Sequence, residues 1–140
     1  MRAYLDASFL VTLFANDHFT PSARQFLKSQ KPVLLVSDFA GAEFVSALAK
    51  RVRVGQFGMS EAQLTLSNFD AWRPRGAQNV SVTSSDIKVA EAFLRRSDLT
   101  LRTPDAIHIA MAQRTQATLV TFDKKMAACA RVLGMPVEPQ

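Results

Sequence analysis

Arg2-Ala3-Tyr4-Leu5-Asp6-Ala7-Ser8 opens the chain with a short apolar run that stops on a carboxylate. The same pattern returns at Leu119-Val120-Thr121-Phe122-Asp123. Between them, Val33-Leu34-Leu35-Val36 has no polar alternation, so it fits a strand buried on both faces. Runs this short read as strands rather than helices, and each is followed by a helical stretch. Strands alternating with helices predict an α/β domain with a parallel sheet covered on both sides. In such sheets functional groups gather at the carboxyl ends of the strands, which is where Asp6 and Asp123 fall.

Working outward, strands are predicted at Arg2–Leu5, Val33–Val36, Val80–Thr83, Thr118–Phe122 and Met135–Val137. Helices are predicted from Ser8 to Ala15, from Thr20-Pro21 to Gln30, and from Ser37 or Asp38 to Val54, where Gly55 stops the chain. A Ser60…Gln63 capping box starts another toward Trp72, with Pro74 and Gly76 as breakers. Ser84 or Ser85 opens a helix to Arg96, Thr103-Pro104 one to Thr115, and Asp123 the last, to Leu133. No repeat, linker or low-complexity tract divides the chain, so residues 1–140 read as one domain.

Composition narrows the function classes. At 48 % apolar residues the chain has enough material for a packed core. A single cysteine, Cys129 among alanines, rules out an internal disulfide and gives no zinc spacing. No Gly-x-Gly phosphate loop and no Ser–His–Asp or Cys–His spacing is present. No stretch reads as a membrane span or a targeting segment, so the expectation is a cytoplasmic protein without a membrane partner. The net charge of +5 favours a polyanionic partner without identifying one.

Four carboxylates carry the chemistry: Asp6, Glu43, Asp105 and Asp123. Each lies in or beside an apolar stretch, where an ionised carboxyl is costly unless it is paired or bound to a cation. Asp6 and Asp123 also fit helix caps, and Asp105 a first helical turn. Glu43 lies past any cap, between the small residues Ala40, Ser46 and Ala47. Oxygen ligands from several segments suit a hard divalent cation, so metal-assisted hydrolysis is the first candidate chemistry. Ser8 and Thr121 each stand two residues from one of the aspartates and could bond a ligand, a carboxylate or a bound water. Lys124 and Lys125 sit in a first helical turn, where the helix dipole disfavours cations; an approaching phosphate would offset that. Phe57, Phe69 and Trp72 read as core or interface packing rather than base stacking. His18 and His108 form no metal pair, though His108 is one turn from Asp105 and could orient it.

Tyr4-Leu5-Asp6-Ala7-Ser8, then Glu43, then Thr103-Pro104-Asp105-Ala106-Ile107-His108-Ile109-Ala110, then Leu119-Val120-Thr121-Phe122-Asp123, resembles a PIN domain over nearly the whole chain. It most resembles the VapC-type toxins of bacterial toxin–antitoxin pairs. The resemblance implies a three-layer α/β/α domain with a mostly parallel central sheet of about five strands. It implies a Mg²⁺-dependent (Mn²⁺ possible) endoribonuclease toxin cleaving RNA, with Asp6, Glu43, Asp105 and Asp123 as catalytic and metal-binding residues. It also implies a homodimer and a small cognate antitoxin protein that covers the site. Two alternatives stay open: a PIN-fold nuclease of RNA processing or DNA repair without an antitoxin, or a non-catalytic binding module in a DNA-binding repressor complex.

Overall fold

The computed structural model describes residues 1–139. Five strands, β1 (Arg2–Leu5), β2 (Val33–Ser37), β3 (Gln78–Val80), β4 (Thr118–Val120) and β5 (Val137–Glu138), form one sheet in the order β3-β2-β1-β4-β5. Every pairing is parallel. The helices are α1 (Ala7–Ala15), α2 (Thr20–Gln30), α3 (Asp38–Arg53), α4 (Met59–Gly76), α5 (Ser84–Leu94), α6 (Thr103–Arg114) and α7 (Lys124–Val132).

The pleat sorts the core into two layers, because successive strand side chains point to opposite faces. Ala3, Leu5, Val36 and Val120 pack with Phe9, Phe26, Phe44, Leu48 and Phe69 of α1 to α4. Tyr4, Leu35 and Leu119 pack with Ala90, Ile109, Met111, Met126 and Ala130 of α5 to α7. The expected three-layer α/β/α arrangement is therefore present, with a wholly parallel sheet. Cys129 is buried in the second layer, as its setting suggested. Phe69 and Trp72 pack with Phe14 and Phe44, and Phe57 leans on the same core.

The strand order fixes where a site can form. The chain leaves β1 for β2 and β3 on one side, then returns to lay β4 against the other. This reversal opens a crevice beyond the carboxyl ends of β1 and β4, the usual ligand position in open parallel sheets. Leu5 pairs with Val120 at those ends, so Asp6 follows one strand end and Thr121 the other.

Several boundaries differ from the sequence expectation. β3 and β5 are displaced to Gln78–Val80 and Val137–Glu138. α4 runs through Pro74 to Gly76 rather than stopping at Trp72. Gly76 is required there: a Cβ would stand 2.1 Å from the Trp72 indole nitrogen. α4 has no Ser60 capping box; its cap is Gly58 without a side-chain bond. The cap of α2 is Phe19, not Thr20, whose hydroxyl instead donates to the Thr12 carbonyl at 2.6 Å. Gly55 ends α3 with a φ of 78°, a conformation open to glycine at little cost.

Candidate active site

Asp6 is the N-cap of α1 and is almost fully buried. Its Oδ1 accepts from the Phe9 amide at 2.9 Å and from Ser8 Oγ at 2.8 Å. Its Oδ2 accepts from Thr121 Oγ1 at 2.6 Å. Both hydroxyls also take a backbone amide from the loop after β4: Phe122 N donates to Ser8 Oγ at 3.1 Å, and Asp123 N to Thr121 Oγ1 at 2.9 Å. Ser8 and Thr121 thus clasp the two strand ends through the Asp6 carboxylate. Of the bonding partners open to them in the sequence, a carboxylate is the one observed. Even so, burial outweighs these donors and holds the Asp6 carboxyl above the ordinary carboxylate value. His108 and the hydroxyl and amide donors pull the other way.

Asp123 caps α7, accepting from Met126 N at 3.0 Å. Capping and proximity to the strand edge therefore hold together for Asp6 and Asp123; they are not competing explanations. Asp105, 4 % exposed, accepts from the Arg102 amide at 3.2 Å and meets its guanidinium at 3.4 Å. That bond to Asp105 comes first among the effects that hold the Arg102 guanidinium above its ordinary value, and the charges of Asp123 and Glu43 add to it. Arg102 therefore bonds one acid, Asp105, and feels the charge of two more from other segments. Arg102 was missed in the sequence, although a basic residue three positions before a helical carboxylate is a readable signal.

Glu43 is half-buried and contacts His108 Nε2. His108 Nδ1 meets the Tyr4 hydroxyl at 2.7 Å, and that hydroxyl meets Ser37 Oγ at 2.8 Å. Burial pushes the Tyr4 phenol up, so it stays protonated. An ionised Glu43 can only accept, so His108 Nε2 donates to it, and Nδ1 is left facing the Tyr4 hydroxyl. His108 thus holds Glu43, not Asp105. No spacing rule could show this contact, since 65 residues separate the partners.

The oxygen donors of this edge have the chemistry a hard divalent cation needs. They are not closed into a cage: among the described residues, no group of three or more His, Cys, Asp or Glu side chains stands close enough to hold a metal. Lys124 and Lys125 are exposed at the start of α7; Lys124 and Asp123 line an open cleft of about 490 Å³ with Thr121 and Phe122.

The chain has relatives of known kind. A PIN domain model matches residues 3–132. Ribonuclease VapC46 of Mycobacterium tuberculosis (strain ATCC 25618 / H37Rv) is 31 % identical over 137 residues, 96 % of this chain and 94 % of the relative. Among solved structures, VapC20 of Mycobacterium tuberculosis, a Sarcin-Ricin loop cleaving toxin, superposes with a TM-score of 0.73 at 21 % identity, covering 98 % of this chain and 99 % of that one. VapBC2 of Rickettsia felis, bound to a DNA fragment from its promoter, gives 0.73 at 17 % identity over 99 % and 98 %. With a PIN domain model spanning most of its length and a VapC relative 31 % identical over nearly all of it, the chain belongs to the PIN-domain family, in its VapC branch.

Proposed function

We propose that the chain is a metal-dependent endoribonuclease of toxin type, hydrolysing RNA phosphodiester bonds at the β1/β4 edge and acting in the cytoplasm. The observation that carries this reading is Asp6: a carboxylate 2 % exposed, given four donor contacts and no basic partner, at the switch point of the sheet. The ribonuclease name of the 31 % identical relative supports RNA as the substrate.

A divalent cation bound there, Mg²⁺ or Mn²⁺, supplies Lewis-acid activation of water and neutralises charge on the phosphate. Asp6 is the anchoring ligand, fixed by Ser8 and Thr121. Glu43, positioned by His108, and Asp105 and Asp123 would supply the further carboxylates that hold the cation. Asp123, at the mouth of the cleft, is the acceptor for the proton of the attacking water. The water oxygen forms the new bond to phosphorus as the bond to the 3′ oxygen breaks, leaving a 3′-hydroxyl and a 5′-phosphate. Lys124 and Lys125 meet the flanking phosphates.

The chain works as a homodimer and is held silent by a small antitoxin protein that covers this edge. Toxin–antitoxin assemblies among the solved neighbours support the partner. Val45, Met59 and Leu64 of α3 and α4 leave apolar surface exposed for such contacts. The test is cleavage of total RNA by the purified chain with Mn²⁺, with EDTA, and with the product of the neighbouring gene. Metal-dependent cleavage that this product suppresses is expected; intact RNA under all three conditions would overturn the reading.

A further inference from the structure

The cleft beside Asp123 has one wall the acidic edge does not use. Phe122 is stacked between two rings, Phe9 at 5.4 Å and 6° and Phe19 at 4.9 Å and 15°. His18 continues the column on Phe19 at 4.0 Å. The column runs from the core, where Phe9 is fully buried, to the surface, where Phe19 is 39 % exposed. Phe19 occupies the N-cap of α2 and makes no side-chain cap bond. Its half-exposed ring lines the cleft.

The cleft's other wall is basic. Lys124 and Arg131, two turns apart on α7, both line it, and neither forms an ion pair with the described residues. Aromatic rings beside unpaired cations are the two elements by which proteins hold single-stranded nucleic acid: rings for the base, cations for the backbone. Thr121, bonded to Asp6, and Asp123 close the inner end.

We propose that this cleft is a base subsite. The nucleotide next to the scissile phosphate packs its unpaired base against the exposed edge of Phe19, which Phe122 backs, and its phosphate meets Lys124 and Arg131. The proposal rests on the ribonuclease reading and sharpens it: a base held in a duplex stack cannot enter, so cleavage requires an unpaired nucleotide at this position.

The probe is a short single-stranded oligouridine carrying one 2-aminopurine, titrated in EDTA so that binding is read without cleavage. Phe19→Leu keeps an apolar side chain and should weaken binding about tenfold, as loss of one base–aromatic contact does. It should also abolish the 2-aminopurine fluorescence change, and Phe19→Trp should restore both. Replacing the 2-aminopurine nucleotide with an abasic one should weaken wild-type binding by the same factor and leave Phe19→Leu unaffected. Arg131→Ala should lower the log–log salt slope of binding by roughly 0.7. This abasic cycle decides the matter even if Phe19→Leu melts lower than wild type. An abasic penalty equal in wild type and Phe19→Leu would overturn the subsite while leaving Mn²⁺-dependent cleavage standing. A wild type that neither binds nor cuts RNA would sink the ribonuclease reading and the subsite with it.

Discussion

Asp6 and Asp86 are both closed to solvent, 2 % exposed each, but Asp6 lies far deeper in the protein, and their carboxyls shift in opposite directions. Burial alone would push both up. At Asp86 the Arg114 guanidinium reverses this, donating at 2.7 and 3.0 Å to the two oxygens, with the Thr83 amide adding a third bond at 2.9 Å. That carboxyl ends below the ordinary carboxylate value. Asp6 receives only neutral donors and ends above it. One carboxylate is a finished structural pair that ties α5 to α6. The other is a desolvated carboxyl bonded by neutral donors alone.

The contrast is broken most sharply by removing each charge. Asp6→Asn should reduce RNA cleavage about a hundredfold or more, since it removes the anchoring ligand and with it several kcal/mol of transition-state stabilisation. Its melting temperature in EDTA should equal or exceed that of wild type. Asp86→Asn should do the reverse: cleavage per folded molecule is kept, while unfolding free energy falls by about 2 kcal/mol as hydrogen bonds to a charged group are lost. Denaturant titration and initial cleavage rates on the two variants check both halves.

The pH profiles should also diverge. Asp86, with its folded pKa lowered, contributes stability present above the unfolded value near 3.9 and lost as pH falls through the folded one. Asp6, with its folded pKa raised, contributes stability that is full below the unfolded value and lost as pH rises through the folded one. Without metal, Asp6→Asn should therefore gain on wild type as pH rises from about 4 toward neutrality. Asp86→Asn should instead lose the steep acid-side fall. Thermal melts across that range in EDTA check the signs.

Smaller effects sharpen the picture. Lys124→Ala with Lys125→Ala should lower the log–log salt slope of RNA binding by roughly 0.7 per phosphate contact, read by fluorescence anisotropy. Asp105→Asn should shift stability by only a few tenths of a kcal/mol, because its partner Arg102 is exposed and such pairs are worth little. Chemical denaturation resolves that difference.

Much of this was legible in the chain. An apolar run ending on an acid placed Asp6 at the end of β1, whereas β4 stops at Val120, three residues short of Asp123, which caps α7. What stayed hidden depends on contacts across the fold. Tyr4, Ser37 and His108 each look like ordinary strand or helix residues; their chain of hydrogen bonds to Glu43 exists only once β1, β2, α3 and α6 are assembled. The stacking of Phe122 on Phe9 and Phe19 is hidden for the same reason, since the three share no spacing, whereas Phe69 and Trp72 pack in the core as the sequence suggests. Arg102 was within reach, three residues before Asp105, and it means that Asp105 is less short of positive charge than Asp6.

The most direct test is Mn²⁺-dependent stabilisation at neutral pH in wild type, Asp6→Asn and Asp86→Asn. A ligand that binds only the folded state at a hundred times its dissociation constant adds about 2.7 kcal/mol. Wild type and Asp86→Asn should both gain a metal-dependent rise in melting temperature, and Asp6→Asn should lose most of it. A wild type indifferent to Mn²⁺, or an Asp6→Asn variant that rises as far as wild type, would contradict the assignment of Asp6 as the buried charge that a cation completes.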